Sequence, residues 1–134
     1  VATLTEGFLM RPHTAHRAAT LGGTVLLAAL SGAAAAEGFR PVDSVDRFVA
    51  LTEGRELRRF AVRLSVLPDG RIEGRAFGAR VTGTWTWQGD HFCREMSWGG
   101  DTIAHDCQQV ERRGNTLRFT ADRGTGDHAE LTLR

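Results

Sequence analysis

The chain has 134 residues, a length suited to one domain, and carries 17 Lys+Arg against 16 Asp+Glu, a formal net charge of +1. Every cation is Arg; Lys and Tyr are both absent. The near-neutral balance lacks the basic excess of a nucleic-acid-binding domain, and that partner class is excluded.

The first 36 residues read apart from the rest. From Met10, a basic start (Arg11, His13, His16, Arg17) leads into a short apolar segment, Leu21 to Leu30, and a run of small residues, Ser31 to Ala36. Ala34-Ala35-Ala36 fits an A-x-A cleavage site before Glu37, so residues 10–36 are expected to be a secretory signal peptide. Residues 1–9 are expected to be an upstream start-site extension. The apolar segment falls short of the roughly 20 residues a membrane span requires, and no stable span is expected after cleavage. An uncleaved anchor helix is the competing reading of the same stretch. The signal pattern implies a periplasmic or secreted protein. Residues 37–134 then form the working domain, with 15 Arg (17 less Arg11 and Arg17) balancing 15 acids (16 less Glu6).

The domain opens with its one helix candidate, Asp43 to Leu51. Asp43 or Ser44 caps the start, Val45, Phe48, Val49 and Leu51 make an apolar stripe, and Gly54 ends it. Such a helix suits a plug or lid on a barrel. After it, hydrophobicity alternates with period two. Val62, Leu64 and Val66 share a face; so do Ile72, Gly74 and Ala76, and Val81, Gly83, Trp85 and Trp87. Leu117, Phe119 and Ala121 follow, and Ala129, Leu131 and Leu133 close the chain. Turn-forming stretches separate them: Leu67–Gly70, Gln88–Asp90, Arg112–Asn115 and Arg123–Gly126. Seven strands result, and eight if Glu56–Phe60 is one. Short antiparallel strands at this spacing predict an all-β fold, a small up-and-down barrel that removes its own edges by closure.

Both cysteines lie in one hairpin, "GDHFCREMSWGGDTIAHDCQ", residues 89–108. A turn at Gly99-Gly100-Asp101 sets Cys93 opposite Cys107, Arg94 opposite Asp106 and Glu95 opposite His105. Opposed positions are close enough for a disulfide, and an exported domain is oxidised, so a Cys93–Cys107 bond is the favoured reading. The alternative is a metal site of His91, Cys93, His105 and Cys107, since residues two apart share a strand face and two Cys with two His form a known zinc set.

The hairpin's other face carries Phe92, Met96 and Trp98 together with Arg94 and Asp106. Arg94 and Asp106 are either a structural ion pair at the rim or a polar anchor in a pocket, where an Arg holds a carboxylate in a bidentate bond. Loss of one partner of a buried pair costs about 3–5 kcal/mol, the cost expected for Asp106→Ala. Trp85 and Trp87 are either core or pocket wall, and Gly74, Ala76 and Gly83 either leave room beside them or mark bends.

Catalytic signatures are lacking. Gly124 to Ala129, "GTGDHA", has the G-x-G-x-x-A spacing of a dinucleotide fingerprint without the βαβ unit that gives it meaning, and reads as a hairpin turn. There is no G-x-S-x-G, P-loop or H-E-x-x-H, and His105-Asp106 are strand neighbours whose side chains point apart.

Residues 81–110, "VTGTWTWQGDHFCREMSWGGDTIAHDCQQV", and the end, "LRFTADRGTGDHAELTLR", resemble a group of short exported bacterial proteins of uncharacterised function. Some of these carry the automatic label dihydrodipicolinate reductase, which implies a nicotinamide-dependent enzyme with a Rossmann domain. The order "GTW…GD…C…C" is also similar to calycin-type small barrels, among them bacterial metalloprotease inhibitors. Gly83-Thr84-Trp85 matches the lipocalin-like G-x-W, although here it lies mid-domain instead of near the first strand.

These readings converge on an exported, non-enzymatic β-barrel without a cofactor that binds a small molecule through Trp85, Trp87, Arg94, Met96, Trp98 and Asp106. The alternative is a protein-binding module, such as an inhibitor of an envelope protease, presenting Glu37 to Val42 and lacking a cavity.

Overall fold

A computed structural model describes residues 38–134, as strands β1 (Arg40–Pro41), β2 (Leu57–Arg59), β3 (Val62–Val66), β4 (Arg71–Ala76), β5 (Ala79–Gln88), β6 (His91–Trp98), β7 (Asp101–Arg113), β8 (Thr116–Thr120) and β9 (His128–Leu133), and a helix, α1 (Val45–Thr52). The expected signal peptide and start-site extension lie outside the described residues. Strands β2 to β9 form an antiparallel meander in which β2 pairs with β9, and β8 pairs back onto β7. The result is a closed eight-stranded barrel. The strand near Glu56 is part of it. Without β2 there would be no link between β3 and β9, and the sheet would stay open.

The short β1 was not legible as a strand. It pairs with β7 through Arg40–Arg112 and Pro41–Glu111, beyond the end of β6 and opposite the edge that β8 holds. Pro41 is tolerated there because a two-residue edge strand has little ladder to lose.

The period-two pattern places the expected side chains inside. Val66, Ile72, Val81, Trp85, Phe92, Leu117, Phe119, Leu131 and Leu133 are all buried, as is Val110, which the pattern did not single out. At Gly74 and Gly83 a Cβ would overlap the Arg63 and Glu95 carbonyls of the adjacent strands, so both mark close strand approach at bends.

α1 starts at Val45, with the second of the two expected caps in use. Ser44 is its N-cap and accepts a hydrogen bond from the Arg47 amide at 3.4 Å. Gly54, at φ +69°, follows its C-terminal end, where left-handed backbone suits glycine. The helix lies across one end of the barrel and drives Phe48 into it. That ring is fully buried, with Phe92, Trp87 and Trp85 centroids at 5.0, 5.3 and 5.5 Å. Val45, expected on the apolar stripe, is 39% exposed, while Phe48, Val49 and Leu51 of the same stripe pack against the core.

α1 closes the end where the β3–β4, β5–β6 and β7–β8 turns lie. The β2–β3, β4–β5, β6–β7 and β8–β9 turns surround the other end, as alternate connections of a meander must. In the β8–β9 connection, the tight turn Ala121–Gly124 holds Asp122 and Arg123 in left-handed backbone, at φ +50° and +54°. The G-x-G-x-x-A run thus leaves this turn and enters β9, a hairpin with no helix after it.

The cysteine hairpin corrects one expectation. Its tip is a two-residue turn, Gly99 and Gly100, both with positive φ, as a type I′ connection requires. Trp98 therefore faces Asp101 and Met96 faces Ile103. A β-bulge between Arg94 and Met96 then shifts the register by one, restoring Arg94–Asp106 and Cys93–Cys107. Glu95 consequently opposes the bulge, not His105 alone. Cys93 and Cys107 are joined by a disulfide and both are buried.

Candidate functional site

The interior is filled at one end and hollow at the other. Phe48 rises from α1 among Trp85, Trp87, Phe92 and Phe119, and these rings form a floor. Above it, toward the mouth, is a cavity of about 380 Å³ within the size range of small-molecule sites. Its wall is mainly aliphatic: Leu57, Val62, Leu64, Val66, Ile72 and Leu131, with Met96 and Phe77 nearer the mouth. A shallower recess of about 220 Å³ continues past Met96 to Trp98 and Ile103 at the lip.

Among the described residues, three polar side chains line the cup: Arg59, Arg94 and Gln108. Alternation along β6 turns Arg94 inward between Phe92 and Met96. Burial pushes the Arg94 guanidinium below its ordinary value, and the Asp106 carboxylate partly opposes that shift. Arginine nevertheless remains charged, because its unperturbed value is so high. The guanidinium is held at its rim: Nη1 donates to the Ala104 carbonyl at 2.7 Å, at the bulge, while Nη2 stands 4.0 Å from Asp106 Oδ2. Asp106 is held separately, accepting the Asp122 amide at 3.1 Å.

At 4.0 Å the pair makes no direct hydrogen bond, and both side chains keep some solvent contact, 12% and 18%. The full cost of breaking a buried pair therefore does not apply to Asp106. Arg94, with five N–H donors, makes one hydrogen bond among the described residues and retains donors for the cup.

The structure separates the six residues nominated for ligand contact. Arg94 and Met96 line the cup, and Trp98 lines its lip. Asp106 stands beside Arg94. Trp85 and Trp87 lie in the floor, packed against Phe48. Arg59 and Gln108 were not singled out in the sequence. The inward turn of β2 and the restored register after the bulge bring them in.

The alternative metal set is drawn together in part. Cys93, His105 and Cys107 place their ligand atoms within 4.8 Å of one another, without His91. The sulfurs are bonded to each other, so neither is the thiolate that would serve as ligand.

A second hollow, of about 490 Å³, lies outside the barrel between α1 and the β7–β8 turn. It is larger than the cup, but Gly38, the first described residue, is part of its wall. The cup is walled wholly by described barrel strands and their turns, which makes it the better-defined site. No protein family, curated protein or solved structure matches this chain.

Proposed function

We propose that this protein is a binding barrel whose cup takes a compact apolar acid. The apolar body of the ligand lies against the aliphatic wall, and its acidic group meets Arg94 and Arg59. The observation that carries this reading is a charged guanidinium turned into an apolar cup, with its nearest carboxylate too far for a hydrogen bond. A ligand carboxylate or sulfonate would supply the missing acceptor.

The cup wall holds no histidine, carboxylate, serine or cysteine that could act as base or nucleophile, which favours binding over catalysis. The signal pattern and the disulfide support a periplasmic or secreted setting. The protein-binding alternative predicts a projecting loop or N-terminal segment, with Glu37 to Val42 as the candidate, and no cavity. Arg40 and Pro41 instead pair with β7, and the Val42 amide bonds to the Val110 carbonyl at 2.8 Å.

Two fluorescent probes that differ in charge test the reading: anilinonaphthalene sulfonate, an apolar acid, and phenylnaphthylamine, its neutral counterpart. Arg94→Met is expected to weaken the sulfonate by about 10–100-fold, the range of a hydrogen bond to a charged group, and to leave the neutral probe unchanged. Equal sulfonate affinity in Arg94→Met, or no saturable binding of either probe to the folded protein, would refute it.

A further inference from the structure

The outer face of the barrel carries a feature that ligand binding in the cup leaves unexplained. Arg58 faces Arg63, Arg63 faces Arg75, and Arg75 faces Arg80, a continuous row across β2, β3, β4 and β5. All four are exposed. Like charges directly opposed on neighbouring strands destabilise a sheet. One carboxylate, Glu56, relieves the row: its Oε2 accepts from Arg58 at 2.7 Å and stands 4.0 Å from Arg63. Glu73, next along β4, is engaged with Arg71 at 2.7 Å. Arg75 donates to the Gly78 carbonyl, and Arg80 has no ion pair among the described residues.

At the mouth, Phe60 and Phe77 lie in the turn tips above this row, and Trp98 ends β6 beside them. Phe60 is 88% exposed, Phe77 62% and Trp98 39%. Each arginine of the row lies two residues along its strand from Phe60, Ala61, Phe77 or Gly78, roughly 7 Å below the tips at the usual strand rise. Phe77 sits at φ +49°, a conformation that costs a bulky side chain and that glycine would adopt freely. Its amide donates to the Ala61 carbonyl at 2.7 Å, tying two tips together. Trp98 donates its indole N–H to the Ala76 carbonyl at 2.7 Å, so its polar end is satisfied while the ring stays at the lip. The acids of the mouth, Asp101, Asp122 and Asp127, belong to the β6–β7 and β8–β9 tips, so the cationic side is that of β2 to β5.

We infer that this side of the mouth docks onto an anionic lipid surface. Aromatic tips enter the interfacial layer, and the arginine row beneath them meets the lipid phosphates. The strained Phe77, the exposed Phe60 and like charges that Glu56 relieves only in part all cost the free protein stability, and one anionic interface offsets them. The inference does not depend on the cup being occupied.

The test is sedimentation of the full chain with vesicles of phosphatidylcholine alone and of phosphatidylcholine with phosphatidylglycerol at three to one. Leu21–Leu30 is common to every variant, so differences between variants report the rim. Binding to the anionic vesicles is expected, falling with added salt. The double variant Arg63→Gln/Arg75→Gln is expected to bind about 25-fold more weakly, at about fivefold per cation. Phe60→Ser is expected to bind about tenfold more weakly through lost apolar burial. Removal of opposed like charges leaves the fold intact, and urea unfolding of each variant checks it. Arg47→Gln/Arg112→Gln, at the closed end, is expected to bind as the parent does. Absence of anionic-vesicle binding, equal loss in the closed-end variant, or indifference to Phe60→Ser would each overturn the inference. So would binding of polyglutamate as tight as that of vesicles, which would point to an acidic protein partner.

Discussion

Trp85 and Trp87 stand two residues apart on one face of β5, yet their indole N–H groups meet opposite fates. Trp85 Nε1 donates to the Leu67 carbonyl at 2.8 Å, fastening β5 to the β3–β4 turn. Trp87 Nε1 is buried and has no partner among the described residues. A buried donor without an acceptor costs about 1–3 kcal/mol, whereas a typical satisfied one stabilises by about 1 kcal/mol. Trp85→Phe is therefore expected to destabilise the protein by at least about 1 kcal/mol more than Trp87→Phe in urea unfolding. The reverse order would contradict these assignments. Alternation in the sequence was enough to turn both rings inward. It was not enough to tell floor from cup wall, because that distinction depends on how deeply Phe48 enters the barrel.

At the scale of elements, α1 is the part that makes the interior one-ended. Its apolar stripe and Ser44 cap were legible, as was the suggestion of a plug. The exposure of Val45 was not, since a stripe does not reveal the angle at which a helix crosses a barrel end. Phe48→Ala is expected to cost about 3–5 kcal/mol, the range for a buried aromatic truncated to alanine. A loss below about 1 kcal/mol in urea unfolding would mean that the helix rests on the barrel without sealing it. The hairpin teaches a related lesson. Gly99-Gly100 is a two-residue turn signal, and followed strictly it sets Cys93 against Cys107 one residue out of register. The bulge at Ala104-His105 corrects this, and bulges of this kind carry no side-chain signature. The residues brought together by the hairpin were legible from the chemical match of Cys with Cys and Arg with Asp, while the path between them was not.

For the whole molecule, closure follows from an even meander whose last strands return to β7 and β2. The strand count and turn spacing made that architecture readable. The cup and the arginine row were harder to see, for one physical reason. Each depends on register between several strands, set by two-residue tips such as Phe60–Ala61 and Phe77–Gly78, where Ala61 and Phe77 take positive φ. Sequence gives little warning when alanine or phenylalanine occupies a position suited to glycine. A net charge near zero likewise conceals four arginines placed side by side. In the resulting barrel, an aromatic floor closes one end, and an apolar cup holding Arg94 opens at the other.

Native mass spectrometry of the protein purified from its own source tests that arrangement most directly. The expected spectrum shows a chain lacking its two thiol hydrogens and carrying a non-covalent organic acid, with the acid absent from Arg94→Met. A bare wild-type protein, or an adduct that persists unchanged in Arg94→Met, would contradict the account.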